Sequence, residues 1–457
     1  MTRQTAYDTL ITLLGQRVTR SKPELEQHGR SESHFPAMPP DAVVYPETTA
    51  EVAAILRICS SHGIPVIGYG AGTSLEGQAQ SPQGGICVDF RLMNRVLQIN
   101  PEDMDVVVQP GLTREALNAE LRATGLFFPV DPGANASIGG MASTRASGTT
   151  AVRYGTMRDN VLGLEVVLAD GRIIRTGTRA RKSAAGYDLT ALMVGSEGTL
   201  GLITELTLRL QGQPEATAAA ICGFADMTQA VAAVIETIQM GLPMARIEFM
   251  DAASIAAVNT WAGTDMPQTP HLFVEFHGSD SAVREQAGTF GQIVADQGGT
   301  GFDWAIRAED RTALWAMRHN AYYAIKASRP GMVALVTDIC VPISRLAAAV
   351  METQADIAAS GITGPILGHV GDGNFHAILL YDDQNPAEIA TAKSLSHRMV
   401  KRALAMGGTA TGEHGIGLGK LDYMAAEHGD GWDVMQTLKI ALDPANIMNP
   451  GKMLRQQ

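Results

Sequence analysis

Three histidines and one glutamate stand in settings suited to holding a cation and moving a proton. His369 and His376 lie in Gly-His-Val-Gly-Asp-Gly-Asn-Phe-His, between apolar runs at 365–367 and 377–380. Gly371-Asp-Gly-Asn374 is a turn signal, so two short strands are expected to pair as a hairpin. With 371–374 as the loop, Val370 opposes Phe375 and His369 opposes His376. Opposed residues share a face, with Cβ atoms roughly 4.5–5.5 Å apart, and a one-residue slip would separate them. Downstream, Glu413 and His414 sit in the glycine-rich stretch 412–417. Neighbouring side chains diverge, so each is expected to take a different partner, Glu413 as third metal ligand and His414 as free base. Two histidines and a carboxylate suit Zn²⁺, Mn²⁺ or Fe²⁺ and leave positions open for a substrate.

A helix is predicted over 310–327, where Arg318 and Tyr322 at i and i+4 share a face. An arginine there suits a carboxylate, which it can bind bidentately. The next strand, near 333–341, holds no Lys or Arg, and Lys326 lies within reach by sequence.

The elements that must position these residues follow from periodicity. Thr48 and Glu51 have capping-box spacing ahead of the apolar stripe Val52, Ile55, Leu56 and Cys59, and Gly63 ends that helix. Strands are expected at 65–67, 86–89, 96–100, 106–109, 164–168, 173–176 and 202–208, with Asp170-Gly171 as a hairpin signal. A helix is expected near 113–124, and an irregular segment over 129–160. Residues 211–216 read as a domain joint. Beyond it, strands near 219–224, 244–250, 271–277 and 333–341 alternate with helices near 227–240, 281–297, 310–327 and 344–359. That is an α+β pattern with an antiparallel sheet and flanking helices. The predicted division is 1–212, 213–420 and a helical return over 421–457.

The net charge of -12 argues against a nucleic-acid partner. Four widely spaced cysteines, with no CxxC pair, read as buried thiols of a reducing compartment. No apolar stretch approaches the roughly 18 residues of a membrane span, and no signal or transit pattern is seen. The expectation is a cytoplasmic protein, with peripheral contact with the inner membrane and a homodimer left open.

The 48 glycines gather in clusters, which marks backbone that approaches something closely. Gly68-x-Gly70-x-Gly72 with Asp89 some twenty residues on invites a nicotinamide-binding reading. It fails, because such a loop must open directly into a helix; here three glycines and a proline follow, and Thr73 takes the third glycine's place. The run 132–148 is small and uncharged except for Arg145, and Gly195–Thr204 has the same character. Backbone laid against a flat, anionic ligand explains all three segments.

On these segments, residues 36–210 resemble the FAD-binding domain of the vanillyl-alcohol oxidase / p-cresol methylhydroxylase flavoprotein superfamily. The likeness continues to the C-terminus. The histidine hairpin and Glu-His motif resemble the group of D-lactate dehydrogenases, D-2-hydroxyglutarate dehydrogenases and the glycolate oxidase D-subunit. The resemblance implies FAD contacts from Tyr69, Gly70, Ala71, Gly72, Thr73 and Ser74. It implies others from Pro132, Gly133, Ser137, Ile138, Gly139, Gly140, Ser143, Thr144, Ser147 and Gly148, and from Glu197, Gly198, Gly201, Ile203 and Asn449. It implies metal ligation by His369, His376 and Glu413, a base at His414, and substrate contacts from Arg318, Tyr322 and Asn374. No histidine lies between His62 and His271, so FAD is expected to be bound without a covalent link.

The implied reaction removes two hydrogens from a small D-2-hydroxy acid, with D-2-hydroxyglutarate or glycolate as alternatives; D-lactate comes first because the further basic residue that the resemblance implies for a distal carboxylate is absent from the strand near 333–341. Electrons would pass to a quinone, a cytochrome or an electron-transfer flavoprotein. A metal-dependent hydrolase leaves the glycine segments unexplained, and a non-catalytic flavoprotein subunit leaves the metal cluster unexplained.

Overall fold

The computed structural model describes residues Arg3–Arg455 as two compact units. The first is built from the chain up to Ser147, Gly155–Gln213 and the chain from Glu413; the second from Gly148–Tyr154 and Pro214–Gly412. No described helix is long and apolar enough to cross a membrane.

The first unit contains two main sheets. A four-stranded sheet runs in the order Val18–Thr19, Ala42–Val44, Ile86–Asp89, Val66–Tyr69, its last three strands parallel. A five-stranded antiparallel sheet runs Val96–Asn100, Asp105–Val108, Leu202–Arg209, Val161–Val167, Ile173–Gly177. Helix Thr49–His62 begins where predicted: the Thr48 side chain accepts from the Glu51 amide, and Gly63 ends it in the left-handed region. The reciprocal half of the capping box does not form. The Glu51 carboxylate instead accepts from the Glu47 amide and pairs with Arg17. The predicted stripe Val52, Ile55, Leu56 and Cys59 is wholly buried, and each such large side chain contributes about 1.5–3 kcal/mol.

The expectation of an irregular 129–160 is corrected: Ile138–Thr144 is a helix. Ile138, Met141 and Ala142, at i, i+3 and i+4, bury one face of it. Gly139 comes so close to Pro110 that a Cβ there would lie 2.5 Å from the proline Cβ. Gly139 is required by packing, and the glycine pair hid the helical period.

The second unit is built on one antiparallel sheet, ordered Thr300–Ala305, Ala216–Gly223, His271–Gly278, Met244–Met250, Ile366–Gly368, Asn374–Tyr381, Val333–Val336. Thr300–Ala305 escaped the sequence reading, because Gly298, Gly299 and Gly301 mask its start. The predicted helix 310–327 is broken into Ala308–His319 and Ala321–Ser328. Asn320 lies at the break, its side-chain amide and its backbone amide both on the Ala316 carbonyl, at 2.9 and 3.0 Å. Arg318 and Tyr322 therefore lie on different helices.

Register decides what this sheet presents. Arg246 opposes Glu275 and Glu248 opposes Phe273; Met250 opposes Leu367, and Leu367 opposes His376. Opposed residues share a face, as do residues two apart on a strand. Arg246, Glu248, Glu275, His277, Asn374 and His376 thus fall on one face. The same face supplies Met250, Phe273, Leu367 and Ile378 to an apolar cluster with Leu314, Trp315, Ala321 and Ile325.

Candidate functional site

The hairpin in the second unit differs from its predicted register by two residues. Leu367, not His369, opposes His376, and the His369 carbonyl accepts from the Asn374 amide. The loop is therefore 370–373. Gly373 fixes it, with φ +78° and a position where a Cβ would meet the Val341 carbonyl oxygen at 2.1 Å. A shift of two preserves the side-chain alternation, so the histidines still face each other, ring centroids 5.5 Å apart and planes at 81°. One ligand nitrogen from each lies within 4.8 Å of the other.

Each imidazole is held at Nδ1. His369 Nδ1 lies 2.7 Å from Glu248 Oε1, and His376 Nδ1 lies 2.9 Å from the Thr337 carbonyl oxygen. Both partners are acceptors, which places the hydrogen on Nδ1 and the lone pair on Nε2. Glu248 is fully buried, and its second oxygen pairs with Arg318 Nη2 at 2.6 Å. Burial pushes the Glu248 carboxyl up, but His369 and Arg318 beside it outweigh this and hold it below the usual carboxylate range. The donor set fits a divalent ion.

Asn374 donates both amide hydrogens within the unit, to Asp338 Oδ1 at 2.7 Å and to the Ile339 carbonyl at 2.8 Å. Asp338 Oδ2 accepts from Thr411 Oγ1 and the Gly412 amide. A Cβ on Gly412 would lie 2.2 Å from Asn374 Nδ2, so the end of this unit is pinned beside the strand that carries His376. Arg318 Nε and Asn374 Oδ1 are buried with no hydrogen-bond partner among the described residues. Further along the same face, Tyr154 Oη lies 2.7 Å from His277 Nδ1, and His277 Nε2 lies 2.8 Å from Glu275 Oε1. Tyr322 is half-buried, its ring against Tyr323.

In the first unit the three glycine segments meet. A Cβ on Gly70 would lie 2.0 Å from Ser137 Oγ, so the first segment crosses the second directly. The Gly195 and Glu197 amides donate to the Ala142 and Ser143 carbonyls at 2.9 and 2.8 Å, which joins the third. The amides of Gly70, Ala71, Gly72, Thr73 and Ser74 donate to no group among the described residues, and Ser74 Oγ is buried without a partner. Unspent donors on an uncharged loop fit an anionic ligand such as the FAD pyrophosphate.

Several residues expected to touch FAD also have partners within the protein. The Glu197 carboxylate accepts from the Ile416 and Gly417 amides, and burial pushes it up. Asn449 donates to the Gln78 and Glu197 carbonyls. Ile203 and Ile138 lie in the core, and Gly201 makes room for Val166. The Ser143 and Thr144 hydroxyls bond their own helix. Pro132, Gly133, Gly140, Ser147 and Gly198 remain at least partly accessible, while Gly148 is buried.

Sequence reasoning missed Glu248, Asp338, Thr337 and Lys452. Buried Lys452 bonds the Gln78 and Gln80 carbonyls and Asn449 Oδ1, and burial pushes its ammonium down to about 7. Only its place in Asn-Pro-Gly-Lys hinted at a role. The Glu413–Gly417 stretch opens the last part of this unit. The His414 carbonyl accepts from Gln78 Nε2 at 2.7 Å, and Gly415 sits where a Cβ would meet Glu197 Oε1 at 2.3 Å.

Comparison with known proteins agrees with this geometry. Residues 40–177 match the family described as FAD binding domain, and 213–453 match FAD linked oxidases, C-terminal domain. The chain is 53% identical to a probable mitochondrial D-lactate dehydrogenase of Danio rerio, over 94% of this chain and 87% of that one. It is 44% identical to the mitochondrial D-lactate dehydrogenase [cytochrome] of Arabidopsis thaliana, over 97% and 79%. Its fold matches that of p-cresol methylhydroxylase with substrate bound, at TM-score 0.81 and 17% identity over 98% and 96% of the two chains. The chain belongs to the FAD-linked oxidase family, on the vanillyl-alcohol oxidase / p-cresol methylhydroxylase fold.

Proposed function

We propose that this protein is an FAD-dependent dehydrogenase that oxidises a D-2-hydroxy acid, D-lactate first, to the 2-oxo acid with the help of a divalent ion. The observation that carries this is the polar sheet face of the second unit. There two Nδ1-anchored histidines lie on the same face as an unspent donor, Arg318 Nε, and an unspent acceptor, Asn374 Oδ1. A 2-hydroxy acid presents the matching pair, a carboxylate that accepts and a hydroxyl that donates. The relatives named for D-lactate support the choice of substrate.

The first unit takes the cofactor and the second the substrate. FAD, when bound without a covalent link, supplies the two-electron oxidant. The sequence puts no histidine in the glycine segments, and burial pushes the Cys87 thiol well up, away from a reactive thiolate. A divalent ion (Zn²⁺, Mn²⁺ or Fe²⁺) supplies Lewis acidity that lowers the hydroxyl pKa. His369 and His376 offer it Nε2, and Glu413, one peptide bond beyond the pinned Gly412, completes the set. His414 takes the hydroxyl proton. Arg318 holds the carboxylate, and Asn374 Oδ1 orients the hydroxyl. Electrons leave to a cytochrome-type acceptor, as the name of the Arabidopsis relative suggests.

A visible spectrum of the purified protein, repeated with a panel of hydroxy acids, tests the reading. A flavin spectrum bleached by D-lactate is expected. A colourless protein, or a yellow one that no D-2-hydroxy acid bleaches, contradicts it.

A further inference from the structure

We propose that Glu248 is the positioning residue of the metal ligand set: it fixes His369 as the tautomer protonated on Nδ1, with its lone pair on Nε2, and ties that ligand to Arg318. The inference rests on the reading of His369 as a ligand and deepens it.

A neutral imidazole carries one N–H and one lone pair, and only the nitrogen bearing the lone pair can bind a cation. The acceptor at the other nitrogen decides which it is. At His376 that acceptor is a backbone carbonyl. At His369 it is the Glu248 carboxylate, at 2.7 Å and fully buried. A carboxylate raises the basicity of the ring it holds more than a carbonyl does, so the two ligands are unequal, His369 being the stronger donor. Glu248 occupies a strand whose alternate residues, Ile247 and Phe249, are core. A buried carboxylate there is costly unless paired. Both of its partners, His369 and Arg318, belong to the site, and each takes a different oxygen. One buried carboxylate therefore sets the ligand's orientation and places the arginine that receives the substrate carboxylate.

The test uses the FAD-loaded protein stripped of metal and titrated with Zn²⁺ by calorimetry. Glu248→Gln, which keeps the shape and removes the charge, should weaken Zn²⁺ binding about 10–100-fold with FAD retained, and His369→Ala should abolish it. Wild-type affinity in Glu248→Gln, with binding lost in His369→Ala, overturns the role of Glu248 and leaves the metal reading intact. Wild-type affinity in His369→Ala overturns the metal reading and this proposal with it. Nitrogen NMR of ¹⁵N-histidine-labelled wild-type protein, free of metal, needs no variant. His369 protonated on Nδ1 is expected, and protonation on Nε2 overturns the proposal.

Discussion

The Gly70–Ser74 loop and the His369–His376 hairpin prepare for their ligands by different means. The loop offers backbone. Its amides are unspent, its side chains small, and its path is set by Ser137 filling the space where Gly70 has no side chain. The hairpin offers side chains. Each functional atom there is aimed by a second residue, Glu248 behind His369, Thr337 behind His376 and Asp338 behind Asn374. A backbone surface suits a large ligand that is only to be held; aimed side chains suit a small one that is to react. The two regions should therefore fail separately when altered.

The largest effect is expected at the residues proposed to act on the proton and the ion. His414→Ala should keep FAD and metal but slow anaerobic flavin reduction about 10²–10⁴-fold, with the deficit shrinking at high pH. Glu413→Ala should lose metal, and added metal should restore part of the rate. Stopped-flow absorbance with metal analysis checks both. Metal loss in His414→Ala with retention in Glu413→Ala would reverse the two roles.

The backbone region is broken by a single methyl group. Gly70→Ala sets a Cβ against Ser137 Oγ, and such overpacking costs about 1–3 kcal/mol. It should weaken FAD binding while metal is still taken up. Adding Ser137→Gly should restore much of the affinity, because it removes both atoms that the new Cβ meets. FAD retention after gel filtration decides; a Gly70→Ala protein that holds FAD as well as wild type would refute the crossing.

How far the sequence disclosed each region follows from the same contrast. Glycine clusters reveal that backbone is used, so the three segments were legible as a set. They do not say which residue touches the ligand, or that Glu197, Asn449 and Gly201 have protein partners as well. In the hairpin the residues proposed to react were legible one by one. Their shared face survived a register misjudged by two because strand alternation repeats every two residues. Glu248 was invisible, since nothing local links it to a histidine 121 positions away. The helix Ile138–Thr144 escaped because close glycine packing overrides simple periodicity, and the break at Asn320 because the apolar period runs on through it.

A smaller effect concerns the clamp at Lys452. Its folded pKa lies near 7, below the 10.5 of an ordinary lysine. Between those values the unfolded chain binds the proton that the folded chain releases. Unfolding free energy should therefore rise with pH from about 7 to 10.5, by up to about 1.4 kcal/mol per unit. Lys452→Met should lack that component. Denaturant midpoints of the two proteins across this range test it, and parallel pH profiles would count against a depressed lysine.

The most direct measurement mixes FAD-loaded protein with D-lactate without oxygen and follows the flavin absorbance, in metal-replete and chelator-treated samples. The account predicts rapid bleaching when metal is present, little when it is removed, recovery on adding a divalent ion, and none with L-lactate. Flavin that stays oxidised with every D-2-hydroxy acid, or that bleaches equally well after metal removal, would contradict it.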